Sequence, residues 1–87
     1  MAAGFRSNGC MPTIFRWKGY RFHFFSDEGT EPPHVHIRRA EDSTKFWLRP
    51  VSVVYNDGFS PAELAEISAV VREHQEEFER RWHEYFG

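Results

Sequence analysis

Thr13-Ile14-Phe15-Arg16-Trp17-Lys18-Gly19-Tyr20-Arg21-Phe22-His23-Phe24-Phe25 is the stretch that decides the fold. It is rich in β-branched and aromatic residues, which fit a pleated, half-buried strand. Lys18-Gly19 interrupts the run as a two-residue turn. Thr13–Trp17 and residues 20–25 are therefore expected to form a β-hairpin with Trp17 opposite Tyr20. Side chains alternate across a strand. The pairing puts Thr13, Phe15, Trp17, Tyr20, Phe22 and Phe24 on one face, and Arg16, Arg21 and His23 on the other.

Downstream, residues 26–33 read as a loop containing Asp27, Gly29 and Pro32-Pro33. Residues 34–38 form a third strand, Glu41-Asp42-Ser43 a turn, and residues 45–49 a fourth strand stopped by Pro50. Residues 51–55 form a fifth, ended by Asn56-Asp57-Gly58. Val35, Ile37, Phe46 and Leu48 extend the aromatic face. The opposite face then carries Arg16, Arg21, His23, His34, His36, Arg38, Lys45, Trp47 and Arg49, with no carboxylate from the first four strands.

Ser60-Pro61-Ala62-Glu63 announces a helix, with Ser60 as N-cap, Pro61 at the first position and Glu63 closing a capping box. Leu64, Ile67, Val71, His74, Phe78, Trp82 and Tyr85 follow as one apolar stripe that should cover the aromatic face. A helix running to about residue 84 is ~36 Å long, longer than the strands, so it either bends or projects. The expected fold is α+β: an antiparallel sheet of four or five strands packed on one long C-terminal helix. Residues 11–87 form a single domain behind a flexible tail, residues 1–10.

Composition narrows the functional classes. The 87 residues are 17% aromatic, which suits a small core built from large rings. No apolar run approaches the ~20 residues of a membrane span, and the first ten residues hold no stretch of signal-peptide type. Cys10 is the only cysteine, so an internal disulfide is excluded. These features point to a cytoplasmic protein with no membrane association. The net charge of −2 divides unevenly: residues 1–60 carry eight Lys/Arg against six Asp/Glu (+2), and residues 61–87 three Arg against seven Glu (−4). The chain is not basic overall, so non-specific nucleic-acid binding would need a local patch.

Chemistry concentrates at Pro32-Pro33-His34-Val35-His36, where alternation points both imidazoles to one side of a strand. Three readings stand. His34 and His36, with His23 beside them, suit a metal; Asp27, Glu28 and Glu31 are the nearest carboxylates, and the neighbouring cations oppose a divalent ion. Alternatively, Arg16, Arg21 and Arg38 bind anions while His34 or His36 serves as catalytic acid or base in metal-independent cleavage of RNA. The third reading is a solvated polar face. His74, on the apolar stripe, reads as a hydrogen-bonded core histidine. Trp82, Tyr85 and Phe86 read either as a contact patch, through which the C-terminal helix could form a homo-oligomer, or as packing beneath a bent helix. No motif implies a cofactor.

Met11-Pro12-Thr13-Ile14, Pro32-Pro33-His34-Val35-His36 and the late helix ending near Trp82 resemble a family of small bacterial proteins, domain of unknown function 4160, over residues 11 to about 85. The resemblance implies a strand-rich sheet with a C-terminal helix. It also implies a small protein partner, as in proposed toxin–antitoxin pairs, and carries no established activity. His34 and His36 match its motif; Arg38-Arg39 depart from the more acidic or aromatic continuation common there. The leading expectation is a protein-interaction module. An RNA-cleaving toxin and a metal site through His23, His34 and His36 are the alternatives.

Overall fold

The computed structural model describes residues 12–87. The expected tail over residues 1–10, with Cys10, lies outside the described residues. Five strands follow one another: β1 (Thr13–Trp17), β2 (Tyr20–His23), β3 (His34–Arg39), β4 (Asp42–Leu48) and β5 (Val51–Asp57). They form one antiparallel sheet in the order β1-β2-β3-β4-β5, each strand paired with its neighbour in sequence.

The first hairpin pairs Trp17 with Tyr20. Lys18 and Gly19 have φ of 51° and 81°, the positive pair that gives a two-residue turn the twist of the strands it joins. Alternation then works as expected over most of the sheet: Tyr20, Phe22, Phe24, Val35, Ile37, Phe46 and Leu48 are buried together. Thr13 is an exception. The register slips between Thr13 and Phe15, so Thr13 pairs with His23 and is exposed, while Ile14 packs on the core in its place.

Ser60 caps α1 (Pro61–Glu73) with the full reciprocal capping box. The expectation of one long helix is corrected: the helix breaks at His74, and α2 (Gln75–Phe86) follows. Contacts with the sheet hold the break. The Gln75 side chain donates to the Leu48 carbonyl at 2.6 Å. The His74 ring lies against Phe15 and Phe78, with centroids 4.5 and 5.5 Å away, and its Nδ1 meets Glu77 at 3.1 Å. Tied to the sheet there, the chain turns back over it instead of projecting. Ile67, Val71, Phe78 and Trp82 all stay buried, while Phe86 is half-buried and Tyr85 exposed. No helix among the described residues is long and apolar enough to cross a membrane.

Candidate functional site

The helices cover one face of the sheet, and the histidines lie on the other. Strand pairing aligns His23, His36, Lys45 and Tyr55 as one row across β2 to β5. His34 and Trp47 pair in the next row, and Arg16, Arg21 and Arg38 in the row on the other side. The sequence reading thus places these side chains on one face. The carboxylates on that face come from outside the first four strands, from the loop that carries Asp27, Glu28 and Glu31. The loop between β2 and β3 folds back over the sheet through two successive turns, Glu28 N–H to the Phe25 carbonyl and Glu31 N–H to the Glu28 carbonyl. It delivers two carboxylates onto the histidines.

Glu28 is the centre. Its Oε1 lies 2.8 Å from His34 Nε2 and 2.7 Å from His36 Nε2. The other nitrogens are held from behind. His34 Nδ1 donates to the Pro32 carbonyl at 3.0 Å. That carbonyl can only accept, so Nδ1 donates to it, and the ring is oriented with Nε2 toward Glu28. His36 Nδ1 lies 3.4 Å from the Tyr55 hydroxyl. The Pro-Pro pair has a physical use here: each proline biases its predecessor to an extended backbone, so the chain enters β3 straight. The Pro33 carbonyl then accepts from Leu48 N–H on β4.

Glu31 turns to Lys45, at 2.7 Å, and lies 3.8 Å from His34 Nδ1. Lys45 also sits over Trp47. The cation nearest the histidines is therefore neutralised locally. Phe25 closes the side of the cluster, edge-on to His36 at 4.4 Å and to His23 at 5.0 Å.

The electrostatics follow from this packing. Burial pushes the Glu28 carboxyl up, but the hydrogen bonds and charges of His34 and His36 outweigh it and hold the group below its ordinary value. Burial is the main cause that lowers His36, against the pull of Glu28. His23 is lowered to about 4, first by burial and then by the charges of Arg21 and His36, with only weak opposition from the Phe24 backbone. His23 stacks on His36 with centroids 5.6 Å apart, and its Nδ1 is buried without a hydrogen-bond partner.

Glu28, His34 and His36 thus offer three ligand atoms within 4.8 Å of one another. His23 is not among the atoms that converge; it backs His36. His34 and His36 are 0% and 5% exposed, packed against Trp47 and Trp82 and against Phe25 respectively. Arg49, expected on the same face, instead reaches α2 and forms two hydrogen bonds to Glu79, at 2.6 and 2.9 Å. Tyr55 had no sequence signal: it lies on a fifth strand whose register depends on a bulge after Lys45.

The fold and site define a small α+β protein with a histidine–carboxylate cluster on the sheet face opposite its aromatic core, bordered by Trp82 of α2 at His34. The family described as Domain of unknown function (DUF4160) matches residues 19–83, and the chain belongs to it. No curated protein and no solved structure gives a significant match.

Proposed function

We propose that this chain is a metal-binding domain, holding one divalent transition-metal ion of the zinc class through Glu28, His34 and His36. The observation that carries the reading is the convergence of both Nε2 atoms on one carboxylate oxygen, with His34 Nδ1 held by a carbonyl behind it. Histidine ligands are oriented by such a hydrogen bond on the far ring nitrogen. Bonds of ~2.1 Å around a tetrahedral ion separate ligand atoms by ~3.4 Å, so the present contacts of 2.7 and 2.8 Å must widen by roughly two-thirds of an ångström. Glu28 rides on a loop and keeps its side chain 23% exposed, which lets it retreat by that distance. Two histidines and one carboxylate leave coordination positions open, where a bound water or a small ligand is polarised.

The test is metal content. Protein purified without chelator or affinity tag carries about one ion per chain. Added zinc at a hundredfold excess over its dissociation constant raises the melting temperature by roughly 15 °C. Glu28→Gln and His36→Ala lose both effects. Metal-free protein whose melting point zinc leaves unmoved sinks the reading.

The interaction reading, including a toxin–antitoxin partner, finds its support on β5 rather than on the C-terminal helix. β5 is an edge strand with Val53, Val54 and Tyr55 at 46%, 39% and 43% exposure. An open apolar edge is a template for strand addition. Val54→Lys should abolish co-purification of a small partner protein or self-association on sizing. A wild-type protein that remains monomeric and captures no partner removes this reading.

A further inference from the structure

Arg16, Arg21 and Arg38 form a row in register across β1, β2 and β3, Arg16 opposite Arg21 and Arg21 opposite Arg38. Directly opposed residues stand ~5 Å apart, and like charges so placed repel. Elsewhere the chain relieves its cations with carboxylates: Arg39 pairs with Glu63, Arg49 with Glu79, Lys45 with Glu31, Lys18 with Glu66 and Arg80 with Glu84. The three arginines of the row have no carboxylate partner among the described residues. Arg38 makes only a long contact, Nε to the Ala40 carbonyl at 3.4 Å. Arg21 is the more telling. Its Nε is buried and has no hydrogen-bond partner among the described residues, an orphaned donor of the kind that calls for a ligand or another explanation.

An open depression of about 310 Å³ lies at this end of the sheet, lined by Gly19, Arg21, Arg38, Arg39 and Ala40. Gly19 leaves its wall low, and the Arg39 guanidinium is turned away onto Tyr20 and Glu63. Arg21 and Arg38 therefore border a recess whose lining holds no carboxylate.

We infer that this recess is an oxyanion site that takes a phosphate group, gripped by Arg21 and Arg38 with Arg16 as the outer charge. A planar guanidinium fork matches two oxygens of one phosphate, and two opposed forks match a tetrahedral dianion better than a single carboxylate. The site is independent of the metal reading: it lies one row along the strands from the histidines and uses none of their atoms.

The experiment follows the arginine Nε–H signals of the full chain by NMR in chelator, titrating inorganic phosphate at constant ionic strength against acetate. The expected result is saturable shifts at Arg21 and Arg38 with phosphate and not with acetate. Arg38→Gln, at an exposed position that does not threaten the fold, weakens phosphate binding about tenfold. Arg80→Gln removes the same charge from α2 and leaves binding unchanged. Shifts that fail to saturate, equal binding of acetate, or an unaltered affinity in Arg38→Gln overturns the inference. A saturable response that Arg80→Gln weakens equally overturns it too, because the effect is then one of net charge.

Discussion

A single carboxylate oxygen organises the histidine cluster, and its neighbours set the protein's response to acid. His23 has its ordinary value near 6.5 in the unfolded chain and about 4 in the folded one. Above about pH 6.5 both states hold it neutral. Between about 6.5 and 4 the unfolded chain binds a proton that the folded protein refuses, so stability falls as pH drops through that window. Below about 4 the His23 contribution is fully lost and levels off. His36, also lowered by burial, acts in the same direction, and Glu28, held below its ordinary carboxyl value, adds a further loss in more acid solution. The urea midpoint of metal-free protein should therefore fall between about pH 7 and pH 5, and His23→Gln should flatten that slope. A midpoint constant across the range contradicts this account.

At the scale of elements, the loop between β2 and β3 is the part that matters, and α2 holds it in place. Gly29 follows Glu28 directly, and a Cβ there would meet Phe86 Cδ1 at 2.5 Å. Phe86 in turn stacks on Trp82, with centroids 4.2 Å apart, and Trp82 touches His34 at 4.8 Å. Gly29→Ala forces either the ring or the loop to give way. We expect it to weaken zinc binding at least tenfold while far-ultraviolet circular dichroism keeps its native shape, because the strain falls on the arm that presents Glu28. Unchanged zinc affinity in this variant would show that the loop is not positioned by α2. This contact also marks the boundary of what the sequence discloses. Period-two alternation identified the hairpin, the core face and the histidine face, because strand geometry is local. Capping chemistry marked the start of α1 for the same reason. That Glu28, rather than Asp27, lands on the histidines depends on how a ten-residue connection packs under a helix some fifty residues later, and no local pattern encodes it. The break at His74 escaped for a similar reason, since its partners Phe15 and Leu48 lie far away in sequence.

For the whole molecule, the uneven charge of the two halves has an internal use. Three of the cations from residues 1–60 reach acidic residues of the helices, Lys18 to Glu66, Arg39 to Glu63 and Arg49 to Glu79. The acidic helix surface therefore helps to fasten the helices to the sheet. Such exposed pairs are screened by solvent and contribute little each beside the burial of the aromatic core. Their consequence is selective: among the described cations of the sheet strands, they leave Arg16, Arg21 and Arg38 without a carboxylate partner. The two sheet faces consequently have separate duties, one apolar and sealed by α1 and α2, the other polar and partly roofed by a loop.

The meander order of the sheet bears on how the protein comes to be folded. Each strand pairs with the next in sequence, so closing any hairpin requires little search, and such nearest-neighbour topologies fold quickly. Glu28, His34 and His36 span nine consecutive positions of this path, so a bound ion would gather them before α2 docks and fixes the loop. An ion captured by that short segment would be present in the transition state rather than only in the finished structure. Zinc should then raise the refolding arm of a chevron plot as well as lower the unfolding arm. If zinc slowed unfolding alone, the cluster would be the last part of the molecule to form, and the loop, not the strands, would set the pace.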